Sequence, residues 1–388
     1  MTGHKNFPAL WSLDPSVLYL NHGSFGACPT AVLEAQALLR CEMEREPVDF
    51  LDGNLPARLD DARQVLAQFV GGHAIDLVFV PNATTAVNAV LRSLPFGPED
   101  ELLLTSHTYA ACRKTIEFVA ARTGARPVIV ALPFPLRSDE EIVEAVLSGV
   151  SARTRLALLD HVTSPTALVL PIARLVSELR ARGIETLVDG AHAPGMVPLA
   201  LTDLGAAYYT GNAHKWLCAP KGAAFLHVRR DRQQDLHPTV ISHGYPTGFQ
   251  AEFDWIGTCD PTPWLSIPAA LRFMAGLLPG GWAEVMARNH ALVLEARALV
   301  LQSLGLEAPC PERLIGSMAS IALPPPARTA PAAHLDSKAL HDWFRERGVE
   351  TWLHEQPIRV LRLSAQLYND IDQYRRLGCL LQEAFHGR

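Results

Sequence analysis

A chain of 388 residues with 48% hydrophobic and 19% charged residues exceeds the usual single-core size, which predicts a large domain plus a smaller one. Its formal net charge of -6 excludes an electrostatic footprint for nucleic acid or for an anionic membrane surface, and no apolar run reaches membrane-spanning length. The seven cysteines form no CxxC pair and have no histidine-rich partner, so neither a zinc site, nor any other metal, nor a disulfide framework is expected.

MTGHKNFPALWSLDPS lacks the basic and apolar regions of a secretion signal, which makes the cytoplasm the expected compartment. Val17 to Leu20 reads as a short extended run, and the glycine-punctuated Asn21 to Cys28 as a loop with its backbone held close to something. Pro29-Thr30 starts a helix that runs toward Glu46, and Leu55 to Phe69 forms a second, amphipathic one that Gly71-Gly72 stops. Ile75 to Val80 is predicted as a strand, and Asn82 opens a helix that continues through Val90. Thr84 and Thr85 lie where free N–H groups and hydroxyls converge, at the anion-binding end of that helix. Strand and helix then alternate: strand Glu101 to Thr105, helix Arg113 to Ala121, strand Arg126 to Ala131, helix Ser138 to Leu147, strand Thr154 to Asp160, helix Ile172 to Arg182 and strand Glu185 to Val188. This rhythm predicts an α/β fold with a mostly parallel sheet covered by helices.

Leu204 to Thr210 and Gly222 to Val228 read as further strands, whereas Gln233 to Asp260, rich in Gly, Pro and aromatics, reads as irregular. Ile267 to Leu277 is a helix, and the long helix Trp282 to Leu304 is expected to lead into a C-terminal domain. That domain reads as strand Met318 to Leu323, a proline-braced loop to Pro331, helix Ser337 to Glu346, strand Arg359 to Ser364 and a final helix Asp370 to Glu383. The divisions expected are an N-terminal segment over 1–50, a large domain over 51–280 and a small domain over 281–388.

Two strand ends carry chemistry. Asp189 closes one strand, and the next ends in Gly211-Asn212-Ala213-His214-Lys215. A carboxylate after one strand and a lysine after its neighbour can build an α/β crevice, though each alone is as readily a turn former or surface polarity; pyridoxal phosphate is one chemistry that needs the pair. The lysine amine forms a Schiff base, and the carboxylate keeps the pyridine nitrogen protonated so that the ring accepts electrons.

The surrounding motifs carry a resemblance. YLNHGSFGACP at Tyr19 to Pro29, NATTAVNAVLR at Asn82 to Arg92, VDGAHAPG at Val188 to Gly195, TGNAHKWLCAPKG at Thr210 to Gly222, FDWIGTCD at Phe253 to Asp260 and RLSAQLYND at Arg362 to Asp370 span nearly the whole chain in order. The sequence resembles the class V aminotransferase family of pyridoxal-phosphate enzymes, fold type I, in its isopenicillin N epimerase-like branch.

The resemblance implies pyridoxal 5'-phosphate as cofactor, with Lys215 carrying the Schiff base and then acting as the base for Cα–H, and Asp189 pairing with the pyridine N–H. Thr84, Thr85 and His214 would hold the phosphate, with Asn212 standing where the family has a hydroxyl residue. Thr258, in Gly257-Thr258, would reach the phosphate of the neighbouring subunit and so make a homodimer the functional unit. Tyr109 would stack on the ring, with His107 as the alternative. His192 would flank the ring, and Ser164 would lie near its 3-oxygen. Arg362 would clamp the substrate α-carboxylate through its planar fork, and Asn21 and His22 would line the substrate pocket.

The implied reaction begins with Cα deprotonation of an amino acid. The first reading is an amino-acid epimerase or racemase, which requires a second acid on the opposite face, with His22, Tyr109 and His192 as candidates. A C–S β-lyase would need no such acid, and transamination is the third enzyme reading. A persulfide-forming desulfurase fits less well, because the proline loop from Leu323 to His334 contains no cysteine. A catalytically silent homodimer is the non-enzyme alternative, opposed by the intact Asp189, Lys215 and Arg362.

Overall fold

The computed structural model describes residues 6–355 and 358–387; the start of the N-terminal stretch, residues 1–5, lies outside the described residues. Seven strands build the principal sheet: β2 Leu77–Val80, β3 Glu101–Thr105, β4 Arg126–Val130, β5 Thr154–Asp160, β6 Glu185–Asp189, β7 Tyr208–Asn212 and β8 Ala224–Val228, following the short β1 Leu18–Tyr19. Their spatial order is β2-β8-β7-β6-β5-β3-β4. The pairs from β7 to β4 are parallel, and β8 runs antiparallel to both of its neighbours.

The period of two in each strand divides the core. Leu77, Phe79, Ala157, Leu159, Val188 and Phe225 belong to one apolar cluster, which includes the helices Leu55–Val70 and Ile172–Ala181. Val78, Val80, Leu156, Leu158, Leu187 and Leu226 belong to the other, under the helices Ala83–Ser93 and Ala110–Thr123. With both faces covered, nearly every residue of the central strands is apolar. The polar groups collect at the strand ends.

A second, smaller unit holds the antiparallel sheet β11-β12-β9, made of Trp352–His354, Val360–Ser364 and Met318–Ala322. The helices Gly281–Leu304 and Ile371–His386 pack together against it. β1 pairs in parallel with β10, Val349–Glu350, so the N-terminal segment is stitched beside the strand that carries Arg362. Ser364 N–H also donates to the Leu20 carbonyl at 3.0 Å.

Several element expectations shift. β7 starts at Tyr208 because Leu201–Leu204 closes a helical turn that ends on Gly205 at φ 68°. A 3-10 turn at Ala74–Asp76 delays β2 to Leu77. The expected loop after β1 holds one helical turn, His22–Phe25, and the irregular interval holds the helix Phe249–Asp254. The helix expected from Arg113 begins at Ala110, which makes Tyr109 its N-cap residue.

Candidate active site

The C-terminal ends of β5, β6 and β7, the N-terminus of the helix Ala83–Ser93 and the turn His22–Phe25 meet around a cavity of about 740 Å³. Thr84, Thr85, Tyr109, Ser164, Asp189, His192, Asn212, His214 and Lys215 all line it. Asn21, His22, Arg362 and Thr258 do not line this cavity.

Lys215 follows β7 by three residues and is half-buried, with Nζ 3.2 Å from His192 Nε2. Burial, reinforced by the positive Arg362, pushes its amine down to about 7. His192 is itself held well below the ordinary imidazole value by burial and by Lys215, so its ring is neutral and Nε2 accepts from the amine. Its Nδ1 is buried without a partner among the described residues.

Asp189 ends β6, and its Oδ1 accepts from Ala191 N–H at 3.0 Å, while the Cys112 thiol donates to Oδ2 at 3.2 Å. At the helix N-terminus Asn82 caps Thr85 N–H at 2.9 Å, and Asn212 Oδ1 accepts from Ala83 N–H at 2.9 Å. Among the described residues, no hydrogen bond engages the Thr84 N–H or hydroxyl, which stand at the positive end of the helix dipole. His214 donates from Nδ1 to the Ala223 carbonyl at 2.9 Å, and burial with Lys215 pushes its ring down to about 4. Its Nε2 is therefore an acceptor until a neighbouring anion restores the second proton.

Arg362 is fully buried and surrounded by neutral oxygens. Nη1 donates to the Ser164 carbonyl at 2.7 Å and to its hydroxyl at 3.1 Å, while Nη2 donates to Ser24 Oγ at 2.8 Å and to Asn21 Oδ1 at 3.4 Å. Nε has no partner among the described residues, and burial pushes the guanidinium down to about 10. The cation lies behind Ser24 and Ser164, which face the cavity.

His22 departs from the expected pocket position. It is buried against Trp216, with Nδ1 on the Tyr368 hydroxyl at 2.8 Å and Nε2 on the Lys215 carbonyl at 3.1 Å. Its ring serves the backbone of the lysine loop. Asn21 is also buried, bonded to Glu350 and Ser24. His107 is buried with Nδ1 2.9 Å from Thr166 Oγ1 and its edge toward Phe134, so of the two alternatives only Tyr109 borders the cavity. Thr258 is exposed.

Sequence reading passed over three residues here. Asp160, at the end of β5, carries the same strand-end signal as Asp189; Cys112 reaches Asp189 from a helix; Lys221 borders the cavity from within the TGNAHKWLCAPKG motif.

The residues fit pyridoxal phosphate. They offer an amine of depressed pKa, a strand-end carboxylate with donors of its own, and an unspent anion site at a helix N-terminus, around one cavity. Residues 46–322 match the family described as Aminotransferase class-V. The chain is 38% identical over 385 residues to an isopenicillin N epimerase of Streptomyces clavuligerus, covering 94% of each chain. It is 32% identical over 392 residues to a probable chloroplastic L-cysteine desulfhydrase of Arabidopsis thaliana, covering 94% of this chain and 82% of the other. Among solved structures, the cystine C–S lyase C-DES in complex with cysteine persulfide superposes with a TM-score of 0.80 at 21% identity, over 97% of this chain and 99% of the other. The chain belongs to the class V aminotransferase family and is a pyridoxal-5'-phosphate-dependent enzyme of fold type I, acting on an amino-acid-like substrate through Schiff-base chemistry.

Proposed function

We propose that this enzyme is a C–S β-lyase acting on a cysteine derivative. The observation that carries the reading is the set of acid–base groups at the cavity. Lys215 supplies one base of depressed pKa, His192 is neutral and hydrogen-bonded to the same Nζ, and His22 is spent on the lysine loop's backbone. β-Elimination needs only that one base at Cα. Bound pyridoxal phosphate supplies the electron sink that acidifies the Cα–H. The Lys215 amine takes the Cα proton, the Cβ–S electron pair leaves with sulfur as a thiol or thiolate, and hydrolysis of the remaining three-carbon enamine gives pyruvate and ammonia. Arg362, a buried cation with only neutral partners, would take the substrate carboxylate. Kinship with cysteine desulfhydrases supports the same substrate class.

One observation favours a second reading, amino-acid epimerisation. Tyr109 borders the cavity with 43% of its surface exposed, and burial of the remainder raises its phenol, so it stays protonated and able to donate to a second face of Cα. Kinship with isopenicillin N epimerases supports it.

Incubation of the holoenzyme with L-cysteine, L-cystine and S-alkylcysteines in deuterated water tests the choice. The lyase yields pyruvate, ammonia and a sulfur product in equal amounts. Deuterated D-isomer without pyruvate would replace it with the epimerase.

A further inference from the structure

The end of the site beneath Asp189 holds a second carboxyl group. β5 and β6 are parallel neighbours, and Asp160 stands directly opposite Asp189 in their register. Adjacent strands are about 4.8 Å apart, so the two side chains leave the sheet side by side. Both are buried, at 2% and 3% exposure, and both border the cavity. Two carboxylates so placed do not both ionise; one keeps a proton.

Donors decide which one. Asp189 has both oxygens engaged, by Ala191 N–H at 3.0 Å and by the Cys112 thiol at 3.2 Å. Asp160 accepts from Tyr109 N–H at 3.2 Å on Oδ1, beside the Thr108 hydroxyl, whereas its buried Oδ2 has no hydrogen-bond partner among the described residues. A buried anionic oxygen without a donor is the costlier arrangement. The other titratable groups around the pair include Cys112 and Tyr109 at the start of the helix Ala110–Thr123, Tyr209 on β7 and Lys215 after it. Burial, with the adjacent Asp189 charge second, holds the Asp160 carboxyl well above the usual carboxylate range.

We propose that Asp160 is a positioning residue that enters the site as a neutral acid, with its proton on Oδ2, and so leaves Asp189 the single anion at that end of the cavity. The inference rests on Asp189 facing the cofactor's pyridine nitrogen, not on which amino acid is turned over. Asp160 also ties Tyr109 N–H, and with it the first turn of the helix that brings Cys112 to Asp189.

Infrared difference spectra of the holoenzyme, Asp160→Asn minus wild type at neutral pH and without substrate, test the proton directly. The expected result is a protonated-carboxyl C=O band that shifts in deuterated water and is lost in Asp160→Asn. Absence of that band, or its loss in Asp189→Asn but not in Asp160→Asn, would overturn the proposal. The pH titration of the bound cofactor's absorption gives a second reading. Asn replaces one neutral group by another, so the midpoint should move by less than about twofold in proton concentration. A shift of about tenfold or more would mean that wild-type Asp160 is an anion. If Asp160→Asn does not fold, Asp160→Ser allows both comparisons.

Discussion

Burial in low dielectric, with the positive Arg362 second, lowers the Lys215 amine more than the nearby Asp189 carboxylate raises it. Only the neutral amine attacks an aldehyde, so the rate at which apoenzyme takes up pyridoxal phosphate should rise with pH. The half-maximal point should fall near 7, well below the ordinary lysine value of 10.5. Stopped-flow absorbance across pH 5.5 to 9.5, roughly the range in which folded proteins can be handled, checks this; a rate still climbing steeply at the alkaline end would contradict it. Arg362 is the second residue whose surroundings define its work. Arg362→Lys keeps a charge but loses the fork, and the loss of a charge-assisted hydrogen bond of about 1.5–3 kcal/mol corresponds to roughly 10- to 100-fold. Binding of an amino acid should weaken by that factor while its decarboxylated amine is hardly affected. Equal penalties for acid and amine, measured by spectral titration, would assign Arg362 to the fold alone.

At the scale of elements, the turn His22–Phe25 and the lysine loop lie in backbone contact. Gly26 sits at φ 69°, and a Cβ there would stand 2.1 Å from the His214 carbonyl oxygen and 2.9 Å from Lys215 Cα. Gly26→Ala should therefore cost about 1–3 kcal/mol from backbone strain alone, and more from the clash. Equilibrium unfolding in urea should show that loss, with lower cofactor occupancy; an unchanged midpoint would mean that the two segments separate freely. This contact also marks what the sequence conceals. Asp189, Lys215 and the helix cap at Asn82 were legible because each ends a local apolar run, and the βα alternation is itself a local pattern. His22 looked like a pocket residue because its partners, Tyr368 and the Lys215 carbonyl, are remote in sequence. Asp160 and Cys112 escaped notice for the same reason: only the β5–β6 register and the landing of a helix bring them to Asp189. The short β10 and β11 carry too few residues to display a period.

For the whole molecule, Thr258 is exposed and does not border the cavity. The proposed homodimer would turn it toward the partner's phosphate site. Light scattering should give twice the chain mass of 42.4 kDa. Thr258→Ala should leave that mass unchanged while weakening cofactor retention several-fold, as loss of one hydrogen bond of about 1 kcal/mol implies. A monomer with full cofactor occupancy would remove the shared site.

The pairing of β1 with β10 also orders events in time. β1 is made long before its partner β10, so during synthesis the segment around β1 stays loose while the seven-stranded sheet, whose neighbours are nearer in the chain, closes first. The lysine loop, which His22 and Gly26 press from that segment, would then be the last part of the crevice to set. Pulsed hydrogen exchange during refolding should show amides of β5 and β6 protected before those of Leu18 and Leu20, whose N–H groups bond to Gly348 and Glu350. Simultaneous protection would mean that β1 meets β10 as early as the principal sheet folds.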